Sequence, residues 1–231
     1  MPKEIFKVYN EVFDARTLKV LEKLRKEYFE ELESCISTGK EANVFRASAK
    51  KGFVAVKIFR MYTSSFDKMS PYILGDPRFN RVSKKKHEII YLWAKKEFRN
   101  LSKAFESGVR VPKPLAFNQN VLVMEFIGEN GLASPLLKDV KLENYAQYYD
   151  EIIKGMIKLY KSNLIHADLS EFNILHFNEK PVFIDMGQSV LKEHPNAMNF
   201  LKKDLHNINK FFEKKCKTIS FEEFIKKAKK K

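Results

Sequence analysis

Between residues 34 and 59 the chain reads as three short strands in immediate succession, and this run constrains the fold more than any other stretch. "SCISTG", "ANVFRAS" and "FVAVKIF" alternate with a period of two, with "AKKG" as a turn between the second and third. In the third strand Val54, Val56 and Ile58 share one face while Ala55 and Lys57 share the other. On both sides the period becomes helical. Residues 14–33 repeat Leu18, Leu21, Leu24, Tyr28 and Leu32 behind Asp14, a ready N-cap. Further on, "HEIIYLWAKKEFRNLSKAFESG" predicts a helix closed by Gly108, followed by strands in "VRVPKPLAF" and "VLVMEFIG" joined at "NQN". The segment from Arg60 to Lys86, broken by Pro, Gly and Asp, has no clear period.

Downstream, "ENGLASPLLKD" reads as a linker and residues 142–162 as a long helix. Helical pieces follow at 196–215 and 220–230, the last opened by a Ser220–Glu223 capping box. Strands in one half and helices in the other define an α+β chain. The expected organisation is a helical extension over 1–33, a small β-sheet lobe with one helix over 34–128, and a mostly helical lobe over 129–231.

Bulk properties set the surroundings. Twenty Phe and a 44% hydrophobic content supply a core for 231 residues. No run reaches the ~20 apolar residues of a membrane helix, and "MPKEIFKVYNEVFD" lacks the pattern of a signal peptide. A soluble, cytoplasmic protein is expected. Cys35 and Cys216 stand far apart and are expected to be buried free thiols, and the five His show no zinc spacing. Net charge is +14. The piece from Asn199 to Lys231 holds 11 Lys against 4 acids and ends in "KKAKKK". Such a run is either a solvated tail or an attractor for a phosphate-rich partner.

The chemistry concentrates in "LIHADLSEFNIL" and in "PVFIDMG". Phosphoryl transfer needs hard oxygen ligands for Mg²⁺ and a carboxylate to orient or deprotonate the acceptor hydroxyl. Asp168, Asn173 and Asp185, a D-x-x-x-x-N loop followed by an Asp after a strand, offer both. Alone, an Asp before a Ser is more often a helix cap. Lys57 sits mid-strand, where its charge needs an anionic partner, and Glu97 on the following helix is the natural carboxylate. In "STGKEANVF" a single Gly39 lets backbone approach phosphates, but Lys40 is followed by Glu41 and no helix follows, so it is no Walker loop. A strand–loop–strand flap over a nucleotide fits better. In "MEFIG" the backbone groups of Glu125 and Ile127, beside Met124, are expected to be free for an adenine edge.

Taken together, "STGKEANVF", "VAVKIF", "HADLSEFNIL" and "FIDMGQSV" resemble the RIO family of atypical serine/threonine protein kinases, and the first of them its type-one branch. The resemblance runs from about residue 5 to 212 and implies a two-lobed, protein-kinase-like fold. It implies ATP and Mg²⁺, for which Mn²⁺ can stand in, as the nucleotide and metal. It makes Asp168 the catalytic Asp and gives the metal to Asn173 and Asp185. Lys57, beside Ala55 and paired with Glu97, then contacts the ATP phosphates. The nucleotide is covered from Ser37 through Thr38, Gly39, Lys40 and Glu41 to Val44. It further implies a precursor small ribosomal subunit as partner, and an ATPase cycle in which Asp185 itself takes the phosphoryl group.

Departures from ordinary protein kinases accompany it. Ala167 stands where an Arg usually precedes the catalytic Asp, and Ser170 where a Lys usually lies near the transferred phosphate. No A-P-E segment follows Asp185. An ATP-driven switch fits these absences better than peptide phosphorylation. "HADLSEFNIL" with "FID" is also compatible with small-molecule phosphotransferases of the aminoglycoside or choline type, the alternative reading.

Overall fold

The computed structural model describes residues 13–61, 66–73, 75–79 and 85–230. In chain order its first elements are α1 (Ala15–Tyr28), β1 (Glu31–Thr38), β2 (Ala42–Ala49), β3 (Gly52–Phe59), α2 (Phe66–Ile73) and α3 (Lys86–Glu106). Next come β4 (Pro114–Asn118), β5 (Val121–Glu125), β6 (Gly128–Glu129), β7 (Leu132–Ala133) and a 3₁₀ turn at Leu137–Asp139. The chain continues with α4 (Tyr145–Lys161), β8 (Ile174–Phe177), β9 (Lys180–Phe183), α5 (Ala197–Phe212) and α6 (Phe221–Lys229). Two compact units result. One takes the described residues of Met1–Asp67, Ser83–Phe98 and Lys113–Ala133, the other those of Lys68–Val82, Arg99–Pro112 and Ser134–Lys231.

The first unit is an antiparallel sheet in the order β1-β2-β3-β5-β4. Asp14 caps α1 by accepting from the Thr17 N–H at 2.8 Å. Val20, Leu21 and Leu24 of α1 bury against Leu32, Phe45, Val54, Val56, Ile58, Val121 and Val123. The alternation read from β3 therefore holds, with its Val and Ile side chains beneath α1. The opposite face carries Lys57. On α3 the buried stripe runs through Ile90, Trp93, Ala94 and Glu97.

The first helix is shorter than its spacing suggests. Phe29 is extended (φ −154°) and buried, and the Glu30 N–H already bonds Ser48 O at 2.7 Å. Leu32 thus enters the core from β1, its four-residue distance from Tyr28 being coincidental. The expected linker is also structured: β6 and β7 form a hairpin around Asn130 (φ 51°) and Gly131 (φ 77°), the Asn-Gly turn that this geometry favours. Arg46 ties it down by bonding Gly131 O and Glu33. Neither thiol is fully buried, since Cys35 lies on the exposed side of β1 and Cys216 is half-buried.

The second unit is built on α4, α5, α6 and the β8–β9 hairpin. Asn144 caps α4, and Tyr148, Tyr149, Ile152, Ile153, Met156 and Leu159 form its buried face. The capping box at Ser220 and Glu223 is present, and Phe224 and Ala228 of α6 are buried. The basic C-terminal piece through Lys229 is thus the end of α5, a short non-helical connection and α6, rather than a free tail. β9 stops at Phe183, short of Asp185. Within the segment that has no clear period, α2 forms a helix, while Thr63, Ser64, Ser65 and Ser83 lie outside the described residues. No helix among the described residues is long and apolar enough to cross a membrane.

Candidate active site

In the first unit Lys57 and Glu97 meet as anticipated. Both carboxylate oxygens of Glu97 accept from Lys57 Nζ, at 2.7 and 2.8 Å. Lys57 is 8% and Glu97 1% exposed. Burying two charges costs several kcal/mol per ion even when they pair, so such a pair is a poor stabilising device and a good way to fix an ammonium. The register sets Lys57 opposite Val44 on one side and Leu122 on the other, with Ala55 opposite Met124.

Ser37 and Thr38 belong to β1 and Val44 to β2, so the turn itself is only Gly39, Lys40 and Glu41. Gly39 N–H bonds Ala42 O at 2.9 Å, and a Cβ on Gly39 would lie 3.1 Å from that same oxygen. Met124 and Ile127 are buried and Glu125 is exposed. The expected freedom of the backbone here needs correction. Glu125 N–H bonds Lys113 O at 2.8 Å and the Glu125 carboxylate accepts from Lys113 N–H, because β4 begins beside it.

In the second unit a loop is assembled around Asp168. Ser170 O accepts the Asn173 N–H at 2.9 Å, closing a turn. Asn173 Nδ2 returns to Asp168 O at 2.8 Å and to Asp168 Oδ2 at 3.3 Å. Gln188 Nε2 donates to the same Oδ2 at 3.1 Å, and Lys203 Nζ lies 3.4 Å from Oδ1. Ile184 N–H bonds Asn173 O at 3.0 Å, bringing the end of β9 to the loop. Asp185 follows at φ 60° with an exposed side chain.

Backbone strain is concentrated here. Ala167 takes φ 70° and is fully buried, which leaves no room for the Arg of ordinary kinases. Left-handed non-glycine residues cost about 1–3 kcal/mol and need surroundings that impose them. Asp204 on α5 provides that constraint. Its two carboxylate oxygens accept from the Ala167 and Leu169 N–H groups, each at 2.8 Å. Burial pushes the Asp204 carboxyl up to about 8, opposed by those two backbone donors, which favour the charged form.

His166 Nε2 donates to Ile184 O at 3.0 Å, while its Nδ1 is buried without a partner. Burial lowers its pKa, so the ring is neutral and braces backbone. Asn100 donates to Met186 O at 2.7 Å and Ser189 O at 2.9 Å, and accepts from Arg78, itself paired with Asp76.

The sequence reading missed Asn100, Gln188, Lys203 and Asp204. No local spacing links residue 204 to 167, and only Gln188 stood close enough to Asp185 to be noticed.

The oxygen set fits a hard divalent cation. With Nδ2 turned to Asp168, the Asn173 amide leaves its Oδ1 as an oxygen donor, and Asp185 adds an exposed carboxylate. No cluster of three or more His, Cys, Asp or Glu suited to a metal exists among the described residues. Mg²⁺ uses one or two protein carboxylates plus substrate phosphates rather than a full protein cage.

The sheet unit with its buried Lys–Glu pair and the helical unit with its Asp–Asn loop define a protein-kinase-like phosphotransferase. Residues 43–224 match the RIO domain. The RIO-type serine/threonine-protein kinase Rio1 of Methanocaldococcus jannaschii is 42% identical over 225 residues, covering 96% of this chain and 77% of that protein. Its namesake from Thermoplasma acidophilum is 43% identical over 171 residues, 74% of this chain and 90% of that one. The crystal structure of the Rio2 kinase–ADP/Mg²⁺–phosphoaspartate complex from Chaetomium thermophilum aligns with TM-score 0.68 at 27% identity. That alignment covers 92% of this chain and 64% of the longer one. The chain belongs to the RIO family and is, with it, an ATP-dependent kinase.

Proposed function

We propose that this protein is a RIO kinase of the type-one branch that couples Mg²⁺-dependent phosphoryl transfer from ATP to maturation of the small ribosomal subunit. The branch assignment draws on relatives named Rio1 and on the "STGKEANVF" turn. The observation that carries the chemistry is the Asp168 carboxylate, bonded by Asn173 and Gln188 directly after the strained, buried Ala167.

In this reading Lys57, held by Glu97, binds the nucleotide phosphates. Residues 37–44 cover the nucleotide, and Met124, Glu125 and Ile127 meet the adenine. Because the Glu125 N–H is taken by Lys113, Glu125 can contribute only its carbonyl. Asp168 orients the acceptor hydroxyl and takes its proton. Asn173 and Asp185 hold Mg²⁺, which when bound neutralises phosphate oxygens. Asp185, exposed just beyond β9, is also the carboxylate that accepts the phosphoryl group in an ATPase cycle, in keeping with the phosphoaspartate of the Chaetomium relative. The partner is a precursor small-subunit particle in the cytoplasm, and the +14 charge suits its RNA.

Incubation with γ-labelled ATP tests this. Expected is a label on the chain that hydroxylamine releases and that Asp185→Ala lacks, with turnover raised by small-subunit precursors. Turnover raised by a small alcohol or sugar, and not by such particles, overturns it.

A further inference from the structure

We propose that Lys203 supplies the positive charge at the transferred phosphoryl group that Ser170 does not, which makes it a catalytic residue. The inference rests on reading Asp168 as the group that faces the phosphoryl acceptor. Ser170 leaves the loop without the cation that ordinary kinases place there, yet the moving phosphoryl group carries negative charge on its three equatorial oxygens while charge builds on the leaving oxygen.

The structure brings a cation to the same place from another element. Asp204 fastens α5 to the loop through the N–H groups on either side of Asp168, and Asn207 adds a bond to Leu169 O at 3.1 Å. Lys203, the neighbour of Asp204, is carried with this anchor, and its Nζ reaches 3.4 Å from Asp168 Oδ1. Among the described residues it is the only cationic partner of that carboxylate, since Gln188 and Asn173 are neutral donors. Its side chain is 52% exposed, so the ammonium is accessible to an incoming substrate. An exposed pair of this kind is worth only about 0–1 kcal/mol to the fold. Stability therefore gives little reason for its position.

The charges follow the reaction. The acceptor hydroxyl oxygen bonds to the γ-phosphorus while the bond from that phosphorus to the β–γ bridging oxygen breaks. The electron pair of the broken bond leaves on ADP, and the hydroxyl proton passes to Asp168. Asp168 thereby loses its charge as negative charge passes to the β–γ bridging oxygen of the departing ADP, the phosphoryl oxygens staying anionic. Lys203 is released from one anion at the moment the other needs it.

The test uses the full chain with Lys203→Met, Lys203→Gln, Lys203→Arg and the double variant Lys203→Met/Ser170→Lys. Each neutral variant should lower kcat about 10- to 100-fold, with KM for ATP changed less than about threefold. Melting temperatures should match the wild type, Lys203→Arg should retain most activity, and Ser170→Lys should restore part of the Lys203→Met loss. Rescue by a cation placed on the loop is an effect that a structural role would not give. A kcat within about twofold of the wild type in the neutral variants, or a loss confined to KM, overturns the proposal. A wild type without turnover, or an Asp168→Ala variant as fast as the wild type, instead removes the reading beneath it.

Discussion

Lys57 and Glu97 illustrate what single residues can disclose. A Lys in mid-strand and a Glu at the right helical position were legible as a pair, because a buried charge must find a partner. Lys57→Met takes the ammonium from the buried Glu97 carboxylate, so it should cost about 3–5 kcal/mol in denaturant unfolding and abolish transfer. Lys57→Met/Glu97→Leu should regain stability without activity, which separates the two roles. The left-handed conformation of Ala167 was not legible, since it is held by Asp204, distant in sequence. His166 gives a pH prediction. Burial holds its pKa below the ordinary 6.5, so its contribution to stability is complete above pH 6.5 and is lost as pH falls below it. Between pH 7.5 and 5.5 the wild type should lose up to about 1.4 kcal/mol more than His166→Gln, measured by urea unfolding. Asp204 works in the opposite sense: with a folded pKa of about 8 against 3.8, its contribution declines as pH rises through that interval.

Elements were read well where their period was strong and poorly where tertiary partners set their ends. The β3 alternation and the capping box of α6 needed only local physics. The end of α1 did not, because Phe29 and Glu30 leave the helix for the sheet. The β6–β7 hairpin is so short that its Asn-Gly turn passed for a linker. Within α4, Gly155 marks a close approach: a Cβ there would lie 2.8 Å from Phe183 Cζ. A helical Gly→Ala change ordinarily gains about 1 kcal/mol, whereas overpacking costs about 1–3 kcal/mol. Gly155→Ala should therefore lower stability, and Phe183→Leu in the same chain should recover part of the loss. Thermal unfolding of the single and double variants checks the sign.

Over the whole molecule, the α+β arrangement followed from hydrophobic periodicity and the family from four motifs in order, but the support around Asp168 followed from neither. Asp204, Lys203 and Gln188 act through folding rather than through spacing. The net charge of +14 bears on the proposed ribosomal partner. Lys226, Lys227 and Lys229 crowd the last turn of α6. If they meet RNA phosphates, changing all three to Gln should flatten the slope of log affinity against log salt by about 0.7–0.9 for each phosphate no longer neutralised. The central claim, that Asp168 and Asp185 carry a Mg²⁺-dependent transfer from ATP, is tested most directly by single-turnover kinetics with γ-labelled ATP. With folded Asp168→Ala and Asp185→Ala proteins, the account predicts rates reduced by at least about 100-fold. Undiminished transfer in both variants would contradict it.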